Sequence, residues 1–121
     1  GWNAGSVVRA GAPLALGSDW PIADLDARLG LAWSVLRRNP RDPDAHVYEP
    51  AERLTMAQAL HGYTRGAALA QGDADLGVIR EGSRADFAVW ESDPITATGD
   101  EILDLPVLAT YLDGIREDHS A

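Results

Sequence analysis

The sequence predicts an α/β segment up to Gly72 and a mostly β segment after it. A short apolar run, Pro13 to Leu16, stops at Gly17, as a buried strand does when it ends in a tight turn. Leu25, Leu29, Ala32 and Leu36 then recur at three- and four-residue steps, the spacing of an amphipathic helix. Beyond Gly72 the period falls to two: Phe87 and Val89 alternate with Ala88 and Trp90.

Taken in order, residues 6–12 read as the end of a helix, with Val7, Val8 and Ala10 apolar and Gly11 as its stop. The run 13–16 is the expected parallel strand, covered on both faces, and it presents Asp19 at its carboxyl end. Ligands of α/β sheets sit at that end. Pro21 disfavours helix at Trp20. Residues 23–38 form the strongest helical pattern, its stripe widened by Leu31 and Val35. Asp24 and Asp26 near its start and Arg37 and Arg38 near its end complement the helix dipole.

Residues 39–50 are a loop carrying Pro40, Pro43 and Pro50, long enough to line a site. Thr55 with Gln58 three residues on is a capping-box pattern opening a second helix, which places Ala57, Leu60 and Thr64 on one side. Gly62 and Gly66 predict a break in it or a close approach to a neighbour. A short turn, 67–71, ends at Gly72. Residues 85–90 and 107–112 are the expected strands, and Asp113-Gly114 is a hairpin signal that lets residues 115–117 return. Three strands cannot close a sandwich, and open edges invite pairing with another chain. The β segment is therefore expected to borrow partners or to form a homo-oligomer.

Composition excludes several functions. Apolar residues make up 45% and charged residues 24% of the chain, ordinary values for a globular protein. A net charge of −9 and a pI of 4.5 disfavour nucleic acid and anionic membrane as partners, because both need clustered cations. No apolar run approaches the ~20 residues needed to span a bilayer. The chain has no cysteine, so disulfides and thiolate metal sites are excluded. Gly1-Trp2-Asn3-Ala4 lacks the basic start of a signal peptide, and the cytoplasm is the expected compartment.

Gly17-Ser18-Asp19-Trp20-Pro21 resembles the end of the eighth barrel strand in metal-dependent amidohydrolases of the type called amidohydrolase family 3. The stretch 50–60 with Tyr63-Thr64 resembles the helix that follows in that family. Residues 76–90 resemble its re-entry into a small β-domain, and Ser92-Asp93-Pro94-Ile95 and 107–114 resemble its last strands. The order and spacing of these motifs carry the likeness over nearly the whole chain. It implies a C-terminal piece of a (β/α)8 barrel, the last strand and following helices, plus part of a small β-sandwich domain. Residues 1–72 would be the barrel segment and 73–121 the C-terminal strands of the composite β-domain. A whole barrel takes about 250 residues. The resemblance therefore implies a C-terminal fragment of a longer enzyme, whose missing N-terminal part is its expected partner.

The same resemblance implies the chemistry: hydrolysis of amide-like C–N bonds in a small-molecule substrate, with a divalent metal, zinc the expected ion, in the parent enzyme. Asp19 is the candidate catalytic residue and metal ligand, since the family's aspartate at this position binds metal and acts on the hydrolytic water. The plain alternative is a Gly-Ser-Asp turn that caps the next helix. Trp20 is a candidate substrate-binding residue, and packing against the barrel is equally open to it. A zinc site needs at least three protein ligands. His46, His61 and His119 form no His-x-His pair, and the chain contains no lysine to carry a bridging carboxylate. His46 is expected at the surface, His61 packed or at the surface, and His119 frayed. Trp33 and Trp90 are expected in the core or an interface, and Asp86 in a structural role. Asp73, Asp75 and the pair Glu117-Asp118 read as solvated surface. The isolated chain is thus expected to bind no metal tightly and to be inactive. A reading of a different class is a non-catalytic small α+β module that self-associates through its exposed strands.

Overall fold

The structure, a computed structural model, describes residues 2–117. His119 and Asp118 lie outside the described residues. Helix α1, Ala4–Arg9, ends at Gly11, whose φ of +76° only glycine adopts cheaply. Helix α2 spans Ala27–Leu36. Helix α3, Met56–His61, runs through a π-helical turn, Gly62–Gly66, into helix α4, Ala67–Ala70. Strands β1 (Phe87–Trp90), β2 (Val107–Leu112) and β3 (Ile115–Glu117) follow.

The expected parallel strand at residues 13–16 is extended chain that belongs to no sheet. Its backbone bond outward is from Leu16 N–H to the carbonyl of Gly62, 3.0 Å away. A parallel strand exists only beside other strands, and no described residues supply them. Nor is it covered on both faces: Leu14 and Leu16 are half-buried against the α3–α4 segment, while Ala15 is exposed. The second helix also starts later than the expected residue 23. Asp26 is its N-cap, accepting from Arg28 N–H at 3.0 Å, and residues 18–26 are spent on turns.

The core is Leu31, Ala32, Leu54, Met56, Ala59 and Ile102. Helix α2 contributes the first two because Leu31 and Ala32 face α3, whose Thr55–Gln58 capping box forms as expected. The buried side of α3 carries Met56 and Ala59, whereas Ala57 and Thr64 on the expected side are exposed. Gly62 and Gly66 mark a close approach. A Cβ on Gly62 would sit 2.9 Å from Leu16, and one on Gly66 only 2.0 Å from the Leu14 carbonyl oxygen. Ile102 comes from the far side of Gly72 and is fully buried in this core. Arg28 donates to the Leu105 carbonyl at 3.1 Å and Arg38 reaches Asp100 at 2.7 Å, tying both ends of α2 to the same segment.

The sheet is antiparallel in the order β1-β2-β3. Phe87 faces Tyr111, and their rings stack with centroids 4.6 Å apart. Asp113 and Gly114, both at positive φ, make the β2–β3 turn. The Asp86 carboxylate accepts from Asp113 N–H at 2.8 Å, which is a structural role. Asp73 is not mere solvated surface: it pairs with Arg84 at 3.3 Å. Among the described residues no helix is long and apolar enough to cross a membrane.

Candidate functional site

Asp19 follows the extended run because Gly17 allows the chain to turn and Pro21 keeps it from entering helix. The Asp19 carbonyl accepts from Ile22 N–H at 2.8 Å and the Ser18 carbonyl from Ala23 N–H at 3.2 Å, closing a compact turn. Asp19 itself is left-handed, with φ of 50°, a region that aspartate enters more readily than most residues. Its side chain is exposed and takes part in no hydrogen bond or ion pair with the described residues. A capping role, the plain alternative, falls to Asp26 instead.

The carboxylate lies on the wall of an open cavity of about 1020 Å³. The extended run supplies one wall and helix α2 another, with Ile22 and Leu25 from the intervening turn, Leu29 and Trp33 from α2, and Tyr63 from the π turn. Tyr63 is placed there by Gly30, since a Cβ at that position would come within 1.8 Å of the phenol oxygen. Burial raises the Tyr63 pKa above its ordinary value, so the phenol stays protonated. Trp20 is 62% exposed and is not among the cavity-lining residues. Trp33, expected in the core or an interface, is 41% exposed on the cavity wall, while Trp90 packs against the core as expected.

The charges on this wall are mostly spent. The Asp26 carboxylate is held below its ordinary value first by the Arg28 guanidinium hydrogen-bonded to it. Asp24 accepts from Asp26 N–H at 3.1 Å. Arg37, the one cationic side chain of the lining, donates through Nε to the Tyr48 carbonyl at 3.0 Å and lies 3.9 Å from Glu49.

Among the described residues no three of His, Cys, Asp and Glu converge on a metal position. His46 is exposed, edge-on to Tyr48, and His61 is exposed on α3. Asp19 fits as one hard oxygen donor, and the other described residues do not bring a full donor set to it. The residues that sequence reasoning missed are those of the apolar wall. Ile22 had no periodic pattern to mark it. Leu25 and Leu29 were assigned to the core stripe of a helix that in fact begins after Leu25.

The amidohydrolase family matches residues 3–116. The chain is 34% identical over 110 residues to Protein LONG AFTER FAR-RED 3 of Arabidopsis thaliana, covering 90% of this chain and 18% of that protein. It is 32% identical over 111 residues to N-substituted formamide deformylase of Arthrobacter pascens, covering 91% of this chain and 20% of the enzyme. The chain thus spans about a fifth of the length of these curated relatives. In fold it is similar to a crystal structure of mutant atrazine chlorohydrolase TrzN from Arthrobacter aurescens TC1, complexed with zinc and atraton. The TM-score is 0.63 at 24% identity, over 94% of this chain and 27% of that one.

Proposed function

The chain belongs to the amidohydrolase family, and from that premise we propose that it is the C-terminal portion of a metal-dependent hydrolase acting on amide-like C–N bonds. In this reading residues 1–72 are the last barrel strand and its helices, and residues 73–121 are the closing strands of a small composite β-domain. The extended run at 13–16 supports the barrel reading, with Leu14 and Leu16 turned to the helices and Ala15 left open. The missing N-terminal part would supply the neighbouring strands and the remaining ligands.

The observation that carries the reading is Asp19: an exposed carboxylate, bonded to none of the described residues, at the end of an extended run and on the wall of a large open cavity. Asp19 would be one ligand of a divalent ion, with zinc the expected metal, and such an ion supplies an activated water when bound. The residue's own work is proton transfer: its carboxylate takes a proton from the attacking water and returns it to the departing nitrogen. Trp20, next to it in the chain and exposed, is proposed to meet the substrate from a wall that the missing part completes.

In the whole protein, Asp19→Asn is expected to lower kcat/KM for amide substrates by about a hundredfold or more. It should also weaken zinc uptake by the metal-stripped protein in calorimetric titration. Because Asp19 is exposed, the melting temperature should stay put. Full activity and unchanged zinc binding in the variant would overturn the reading.

A second reading has its own observation. Ala88, Leu108, Thr110, Leu112 and Ile115 share one face of the sheet by register, and Leu108, Leu112 and Ile115 are each more than half exposed. That face suits a non-catalytic module that self-associates. The whole protein would bury it under its own missing strands.

A further inference from the structure

We propose that Arg65 is a positioning residue for Asp19: it ties the entry of the β segment to the π turn, and the π turn holds the run that carries the carboxylate. The task of Asp19 rests on the hydrolase reading above, whereas the coupling between Arg65 and the run does not. The turn Gly62–Gly66 touches three separate parts of the chain. Toward the extended run, the Gly62 carbonyl accepts from Leu16 N–H at 3.0 Å, and Gly66 faces the Leu14 carbonyl. Toward α2, the Tyr63 phenol lies against Gly30. Toward the β segment, Arg65 Nη1 donates to the Ala74 carbonyl at 2.9 Å and to the Leu76 carbonyl at 2.8 Å. Gly77, at φ of +74°, closes this joint: a Cβ there would sit 2.6 Å from the Thr64 carbonyl oxygen.

These contacts leave the π turn little freedom to move by itself. Gly62 and Gly66 are both buried, and close-packed backbone passes a displacement on to what it touches. A shift at Arg65 reaches Gly66, the next residue, and the Leu14 carbonyl beyond it has no room to stay in place. Leu16 follows two residues later, and Asp19 three after that. A catalytic group misplaced by about 1 Å can lose about a hundredfold in rate, so small shifts of the run matter. The plain alternative is that Arg65 only satisfies two loop carbonyls. The two roles differ in what reaches Asp19. Both bonds leave from one nitrogen, Nη1, so a lysine ammonium with its three donors can replace them.

The test uses the whole protein, with hydrogen exchange as a readout that needs no turnover. Arg65→Met keeps the apolar stem and removes both donors. It is expected to speed amide exchange across residues 14–19 about fivefold. Zinc uptake by the metal-stripped protein should weaken about fivefold, and kcat should fall about tenfold with KM unchanged. Arg65→Lys should recover most of each loss. Gly77→Ala disturbs the same joint from the other side and should repeat the Arg65→Met result, which guards against a local folding defect in that variant. Arg84→Met loosens the β segment elsewhere, since Arg84 pairs with Asp73 and Asp113, neither of them in the π turn. It should leave exchange, zinc uptake and kcat at parent values even where it lowers the melting temperature as much. Exchange across residues 14–19 that ignores both Arg65→Met and Gly77→Ala, or that responds equally to Arg84→Met, would overturn the proposal. So would a lysine variant as impaired as the methionine one. Faster exchange in Arg65→Met, with a parent protein that neither takes up zinc nor hydrolyses amides, would instead sink the hydrolase reading and leave the coupling standing.

Discussion

Glu52 is a carboxylate with only 8% of its surface exposed, a rare position for its type. It receives Ser6 N–H at 2.7 Å, the Ser6 hydroxyl, and Arg9 at 3.4 Å. Ser6 is in the first turn of α1, whose own N-cap, Asn3, makes no side-chain bond. Glu52 therefore does from a distance what a local cap would do, pairing an orphan N–H at the positive end of the helix. The Ser6 hydroxyl, then the Ser6 amide, hold its pKa below the ordinary 4.5. The folded state thus favours the ionised form, so this stabilisation is complete above that value and is lost as pH falls through the folded pKa. Glu52→Gln is expected to lower the melting temperature by about 5 °C at pH 7, with the deficit shrinking as pH falls below 4.5. A deficit that persists undiminished into acid would assign the loss to shape rather than charge. Asp19 could be found in the sequence because Gly17 and Pro21 punctuate its own neighbourhood. Glu52 could not, because its burial is made by a serine 46 positions away.

At the scale of elements, the contact between the extended run and the α3–α4 segment decides where Asp19 stands. One backbone bond, Leu16 N–H to Gly62, and two glycines hold the run against the helix. Gly66 faces the Leu14 carbonyl so closely that any Cβ must push the backbone aside. Gly66→Ala is expected to cost about 2 kcal/mol in denaturant unfolding, the range of overpacked cores. Because the displaced backbone leads directly to Asp19, the proposed function adds that hydrolysis by the whole protein should also fall. A variant as stable as the parent would mean that the run is not pinned there. The glycines were readable as a close approach, and the capping box at Thr55 and Gln58 as a helix start, since both signals are local. The π turn was not readable: it adds a residue to one turn of the helix without any compositional mark, and it shifts which side chains follow on each face. The start of α2 was misplaced for a similar reason. Leu25 keeps the helical spacing, yet Asp26 captures the Arg28 amide and opens the helix beyond it.

On the scale of the whole molecule, the parts that the sequence revealed best are those that need no distant partner. The hairpin at Asp113-Gly114 forms from its own turn chemistry, reinforced by Asp86. The run at 13–16 needs strands beside it to become a strand, and a chain spanning a fifth of its relatives does not bring them. Among the described residues the sheet shows the same incompleteness: three strands, two edges without a further strand, and a face on which Leu112 is 53% and Ile115 69% exposed. A sheet this small is marginal unless a second layer covers it, and an uncovered apolar face is prone to associate. The 121-residue chain is therefore expected to show a mass in light scattering that rises with concentration. Leu112→Lys combined with Ile115→Lys places two like charges directly opposite each other on that face, since the residues pair across β2 and β3. The double variant should scatter as a monomer at every concentration, while its helical core, which contains neither residue, melts as before. Association that survives both charges would move the interface away from this face, to the open strand edges. A parent chain that is monomeric throughout would show that three strands can stand uncovered.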